Sequence, residues 1–162
     1  MAKTAGIILV AITAVIYSLT GLIGLEKRLA DVKMLLRALL FINSGINGMV
    51  PLREIFTQLC ESESADVFGV FLRGMDRNEK ISDIWRECLD KTSLIKTEKA
   101  VFMPLGACLG CAERSIQLKT ADMAAQNAAL LQNELTKSIK KYREVDMKLR
   151  IMAGITVIVL FI

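Results

Sequence analysis

From Ser115 to Ile162 the chain runs 48 residues with no proline and one glycine, Gly154. Ala121, Ala124, Ala128, Leu131, Leu135, Ile139, Tyr142, Val145 and Leu149 recur every three or four residues, which puts them on one face of a helix. A strand would alternate, and this stretch does not. Beyond Arg150 the one-sided pattern gives way to a run apolar on every side, Ile151 to Ile162, and a helix of that kind is suited to lipid. At about 1.5 Å per residue a helix of this length reaches roughly 72 Å, enough to link a membrane to a helical body.

The rest of the chain also reads as helix. Residues 5 to 25 carry no charge and are mostly Ile, Leu, Val and Ala. About 20 such residues cross a hydrocarbon core of roughly 30 Å, so this stretch is long enough to span. The helix is expected to continue on a stripe of Leu29, Val32, Leu36, Leu39 and Leu40 and to weaken at Asn43, Ser44, Gly45, Asn47 and Gly48. Pro51 suits the first turn of a new helix, where a missing N–H costs nothing, with Leu52, Ile55, Phe56 and Leu59 inward. Glu61 to Ser64 reads as a polar connection to a short helix of Val67, Phe68, Val70, Phe71, Leu72 and Met75, which ends near Gly74 and Asp76 to Lys80. Ser82 is the candidate N-cap of a helix with a stripe of Ile81, Ile84, Trp85, Cys88 and Leu89, and Trp85 is its expected core anchor. Thr97 is the candidate cap of another, with Val101, Phe102, Leu105 and Leu109. Pro104 is expected to kink or divide that helix. Gly106 and Gly110, four apart, allow close approach of another element, and Gly110 is also a candidate C-cap.

The predicted fold class is therefore all-α. A cytoplasmic helical bundle at residues 26–150 lies between an N-terminal transmembrane helix at 1–25 and a C-terminal transmembrane segment at 151–162, the long last helix running into that second span. The bundle region, about 125 residues, is large enough for a core of its own. The composition, 53% hydrophobic, agrees with two apolar ends on such a bundle. A cleaved secretory signal is the alternative at the N-terminus, but the uncharged run exceeds the usual apolar region of about 7 to 15 residues.

Charge bias then predicts orientation. Lys27, Arg28, Lys33 and Arg37 follow the first span, and Lys137, Lys140, Lys141, Arg143, Lys148 and Arg150 precede the second. Both ends favour a cytoplasmic middle. Lys27, Arg28, Lys148 and Arg150 are the candidate membrane-surface anchors, able to contact anionic lipid. The net charge of +4 needs no nucleic acid to explain it, since aromatics are few and no recognised motif accompanies the basic residues.

The chemistry is sparse. The chain has no histidine, which removes imidazole-activated nucleophiles, histidine metal sites and histidine acid/base work. No Gly-rich loop ends in Gly-Lys-Ser/Thr, so an assembly needing ATP would rely on a partner to bind it. Cys108-Leu109-Gly110-Cys111 is a CxxC, and Cys60 and Cys88 bring the thiols to four. A redox pair or a zinc site is the sharper interpretation; buried small hydrophobes in a reducing compartment is the plainer one, favoured by the helical context. No enzyme activity, cofactor or metal is expected.

The order of these features resembles the stage III sporulation protein AB family, a membrane component of the mother-cell assembly that joins mother cell and forespore in endospore-forming bacteria. The residues that carry the resemblance are Lys3 and Gly6; Gly48, Pro51, Leu52 and Glu54; Ser82 and Trp85; the block Gly106, Leu109, Gly110, Glu113, Arg114, Gln117 and Lys119; and Ala153, Gly154 and the apolar tail. Pro104 departs from the family pattern, as do Glu113 in place of the usual aspartate and Asn47-Gly48 in place of an aromatic-glycine pair. The CxxC is not part of that pattern. The resemblance implies a cytoplasmic domain similar in fold to the inner-membrane platform protein of type II secretion systems. It implies a scaffold that takes up movement driven by the assembly's ATPase, stage III sporulation protein AA, together with other membrane subunits and further copies of itself. Glu113, Arg114, Gln117 and Lys119 are then the candidate partner-binding residues, and the location a multi-pass cell-membrane protein facing the mother-cell cytoplasm. The competing expectations are a membrane-tethered thiol redox protein using Cys108 and Cys111, and a membrane adapter unrelated to sporulation.

Overall fold

The computed structural model describes residues 2–110 and 113–161, with the side chains of residues 21–110, 113–148 and 152. Among the described residues there are six helices and no strand: α1 (Ala2–Asn47), α2 (Leu52–Ser62), α3 (Ala65–Asp76), α4 (Ile81–Asp90), α5 (Lys96–Cys108) and α6 (Arg114–Phe161). The all-helical class expected from the spacing is what forms. No helix among the described residues is long and apolar enough to cross a membrane. Of the two expected spans, side chains of residues 5–20, of residue 151 and of 153–162 lie outside the described residues.

The chain forms two compact units, Arg28–Asn133 and a second made of Met1–Lys27 with Glu134–Ile162. In the second, Arg143 Nη2 donates to Glu26 Oε1 at 2.6 Å, and Leu135 and Ile139 are buried. In the first, α2 packs on α3, α3 on α4 and α4 on α5. The parts of α1 and α6 belonging to this unit run antiparallel, since Asn43 meets Asp122 while Asn47 meets Arg114.

The core of the Arg28–Asn133 unit is aromatic at its centre. Phe56 stacks on Phe71, with Phe68 at 6.1 Å and Trp85 edge-on at 6.3 Å between ring centroids. Around them lie Val32, Leu35, Leu39 and Ile42 of α1, Phe102 and Leu105 of α5, and Ala121, Ala124 and Ala128 of α6. The expected α6 stripe is buried from Ala121 to Ile139 except for the half-buried Leu131, while Tyr142 and Val145 are exposed. Along α1 the buried face is turned from the expected one, so that Leu35 and Ala38 are covered and Leu40 is exposed.

Close approach is what seats α4. A Cβ on Gly106 of α5 would lie 2.5 Å from Cδ1 and 2.7 Å from Cβ of Trp85, and one on Gly74 of α3 would lie 2.6 Å from Ile84. The two glycines make notches on either side of α4, and consecutive residues of α4 fill them. The Trp85 indole N–H donates to the Phe102 carbonyl at 2.8 Å, so the buried indole keeps its hydrogen bond.

Several helix ends differ from the expectation. The polar stretch at Asn43–Asn47 does not weaken α1, because Ile42 and Ile46 are buried and hold it helical. Pro51 sits one residue before α2, whose last turn runs on through Ser62; Ser64 then caps α3 by accepting the Val67 N–H. Ser82 is no cap: the extended residue before α4 is Lys80, and Ser82 lies inside the helix. Thr97 lies inside α5, and the free N–H of Ile95 is satisfied from the other direction, by Glu98 Oε2 at 3.1 Å. Pro104 does not divide α5, which is one helix from Lys96 to Cys108. The proline removes one rung, the N–H that would bond Ala100, while burial of Phe102, Leu105 and Gly106 holds the helix on either side. Gly110 follows the cap residue Leu109 and has no positive φ.

The Arg37–Glu63 pair ties α1 to the α2–α3 connection, with Nε and Nη2 donating at 2.7 and 2.6 Å. The Arg37 hydrogen bond holds the Glu63 carboxyl below its ordinary value of 4.5, against a smaller upward push from burial. A carboxyl depressed by folding contributes stability above its unfolded value and loses it as pH falls through the lower folded one. Because Arg37 is largely exposed, the pair is worth under about 1 kcal/mol. Urea titrations between about pH 7 and pH 3 should therefore show Glu63→Gln less stable than the native chain at neutral pH and converging with it in acid. Parallel curves would mean that the pair contributes nothing.

Candidate functional site

The end of α1, the start of α2, the end of α5 and the start of α6 meet around an open cleft of about 270 Å³. Ile46, Val50, Leu52, Ile55 and Leu109 give it apolar walls, and Met49, Arg114 and Gln117 complete the lining.

The cleft exists because α1 stops abruptly. Met49 N–H donates to Ile46 O at 3.2 Å and Val50 N–H to Gly45 O at 2.9 Å, the paired bonds of a Schellman cap. That cap needs a left-handed residue, and Met49, not glycine, supplies it at φ 57°. A left-handed conformation costs a residue with a Cβ about 1–2 kcal/mol. The side chain so placed is 79% exposed, beside apolar walls that are not. The other Schellman cap, at the end of α3, uses Asn78 at φ 60°, a residue that tolerates the conformation better.

Arg114 crosses from α6 to close the same corner. Its Nη2 donates to the Asn47 carbonyl, placing a cation at the C-terminal end of α1, where the helix dipole favours it. The N-terminal ends of α2 and α6 and the C-terminal ends of α1 and α5 all lie at the cleft, so their backbone dipoles offset one another and the positive charge there is that of Arg114. Glu54 in the first turn of α2 and Glu113 just before α6 oppose it, and Glu113 Oε1 takes the Ser115 hydroxyl at 2.6 Å.

Of the four candidate partner-binding residues, the fold brings Arg114 and Gln117 into the cleft. Glu113 stands just before α6, and Lys119, two residues past Gln117 and so roughly 200° further round the helix, is exposed outside the lining. Leu52, Leu109, Arg114 and Gln117 come from two of the blocks that carried the family resemblance, some sixty residues apart in sequence. Ile46, Met49, Val50 and Ile55 were not singled out as site residues, and the Schellman cap turns Met49 and Val50 toward this corner.

The candidate membrane-surface anchors divide. Lys27 and Lys148 are exposed, and the side chain of Arg150 lies outside the described residues. Arg28 has a protein partner: its Nε donates to Glu98 Oε2 at 3.0 Å and its Nη2 to Glu98 Oε1. Glu98 is only 4% exposed, so this is an ion pair of the helical body.

Among the thiols, Cys88 is buried and pushed up to about 12, chiefly by that burial, and burial also raises Cys60. A thiolate is the reactive form, so neither site favours redox or metal chemistry. Cys108 is half-buried and receives the Thr120 hydroxyl at 3.4 Å, and Cys111 lies outside the described residues. No group of three or more potential metal ligands occurs among the described residues.

The model of the family described as stage III sporulation protein AB matches residues 3–162. The chain belongs to that family, and with it to stage III of sporulation. No curated protein and no solved structure matches the chain.

Proposed function

We propose that this member of the stage III sporulation protein AB family is a non-catalytic membrane platform that couples the sporulation ATPase, stage III sporulation protein AA, to the channel assembly between mother cell and forespore. One observation carries the proposal. The two helices that bear the apolar runs are also walls of the helical body: α1 supplies Val32, Leu35, Leu39 and Ile42 to its core, and α6 supplies Ala121, Ala124 and Ala128. A displacement imposed on the body would act on the same two helices that carry the apolar runs.

Hydropathy and charge support the membrane part. Residues 5–25 and 151–162 are uncharged, and lysines and arginines gather beside them on the side facing the body. On this reading the protein is multi-pass, faces the mother-cell cytoplasm, assembles with further copies and other membrane subunits, and needs no cofactor. Lys27 and Lys148 are the membrane-surface contacts, and the cleft corner with Arg114 and Gln117 is the surface for the ATPase.

The test is co-purification of the full-length protein, in mild detergent, from sporulating cells. The ATPase should be retained with the native chain. It should also be retained with the double substitution Cys108→Ser and Cys111→Ser, whose sporulation should be normal. Absence of the ATPase from a folded, oligomeric native preparation would remove the coupling role, and loss of all activity in the serine variant would favour the thiol redox alternative.

A further inference from the structure

We propose that the outer side of α6 between Ile116 and Leu130 is a contact between copies of this chain, two α6 helices lying parallel and in register. The pairing deepens the platform reading and rests on it for direction, since copies held in one bilayer by the same ends point the same way. Beside the line it gives the core, α6 carries a second one. Ile116, Met123 and Leu130, seven residues apart, are all exposed, and with Thr120 and Asn127 they follow the alternating four-and-three spacing of a coiled-coil seam. The core residues Ala121, Ala124 and Ala128 lie about a third of a turn round the helix from this seam. Thr120 is half-buried and donates to Cys108 Sγ at 3.4 Å, which leaves Ile116, Met123, Asn127 and Leu130 as the open part.

Asn127 selects the occupant. It sits between Met123 and Leu130, exposed and without a hydrogen-bond partner among the described residues. An amide both donates and accepts, so the same amide of a second copy, met across a two-fold axis, satisfies it. An apolar helix of another protein would cover it unpaired. A single asparagine in such a seam is also what fixes register between two parallel helices. Charge permits the self-pairing as well. No charged residue stands on the line from Ile116 to Leu130, so like residues face each other without repulsion, and Glu134 and Lys137, which continue the spacing, mark where it stops. Three apolar layers make a weak contact, suited to copies confined to one membrane rather than to dilute solution.

The experiment places full-length protein with one added cysteine in vesicles of phosphatidylcholine and phosphatidylglycerol, oxidises it with copper phenanthroline at about pH 8, and reads covalent dimer on a non-reducing gel. Met123→Cys and Leu130→Cys should each give at least about tenfold more dimer than the native chain. Asp122→Cys, one position away and about 100° round the helix, should not. In the Met123→Cys chain, Asn127→Asp should lower the dimer about tenfold, because two carboxylates then face each other, while Gln126→Glu, beside the line, should leave most of it. Thermal melts of each variant separate lost pairing from lost folding. Dimer from Met123→Cys but none from Leu130→Cys would mean helices crossing at one point, and overturns the parallel seam. Equal dimer from Asp122→Cys would mean random collision, and overturns it too. Vesicle-bound protein with no dimer at either position, from a chain that still retains the ATPase, would remove the seam and leave the platform reading standing. Dimer at both positions in a chain that retains no ATPase would do the reverse.

Discussion

Replacing Arg28 by methionine should destabilise the helical body by about 3–5 kcal/mol, whereas the same change at the adjacent Lys27 should stay within about 0.5 kcal/mol. Both residues are cations just past an apolar run, and both were expected at the membrane surface. The difference is Glu98, 70 residues further along the chain, whose carboxylate is buried between α1 and α5 and receives Nε and Nη2 of Arg28 and the N–H of Ile95. With Arg28 gone, a buried carboxylate keeps one backbone donor and loses its countercharge, and that uncompensated charge is the source of the cost. Removing the charge as well should restore much of the loss. The pair Arg28→Met with Glu98→Gln is therefore expected to be more stable than Arg28→Met alone. Thermal or urea unfolding in mild detergent measures all three. If Arg28→Met and Lys27→Met lost equally little, the ion pair would not be part of the body and Arg28 would return to the membrane surface.

Which features were legible in the sequence follows from the distance between interacting residues. The α6 stripe, the inward faces of α2, α3 and α4, and the core place of Trp85 are each set by periodicity within one helix, and the spacing of apolar residues reports it. The partner of Arg28 was not legible, because nothing near it in sequence marks Glu98. Helix ends are not legible for a similar reason. Ser82 and Thr97 have the side chains of caps, yet Lys80 and Ile95 take those positions, with Glu98 reaching back to the Ile95 N–H. Asn43, Gly45 and Asn47 disfavour helix locally, but burial of Ile42 and Ile46 outweighs a preference worth about 1 kcal/mol per residue at most. For the site, the sequence pointed to Glu113, Arg114, Gln117 and Lys119, of which the cleft takes Arg114 and Gln117. The cleft they line also depends on a left-handed Met49, and no residue pattern selects methionine for that conformation.

Trp85→Ala should cost about 3–5 kcal/mol, and Gly106→Ala about 1–3 kcal/mol, for opposite reasons at one contact. Trp85 is 1% exposed; its removal opens a cavity beside Phe56 and leaves the Phe102 carbonyl without the indole donor. Gly106→Ala overfills the same place, because the new methyl would lie 2.5 Å from Cδ1 and 2.7 Å from Cβ of Trp85. The Cβ contact decides the sign. The far end of a side chain can swing away, but Trp85 Cβ moves only with the backbone of α4, and α4 is held on its other side by Ile84 against Gly74. The two losses should not add. With the indole absent, the alanine methyl enters space that Trp85→Ala has emptied, so the double variant should be more stable than the sum of the singles by about 0.5–3 kcal/mol. Additivity within experimental error would mean that α4 and α5 separate freely and that the glycine notch does not fix their spacing. A positive coupling would make that notch what fixes the spacing of α4 and α5, and Leu109, the residue just past the end of α5, is a wall of the cleft.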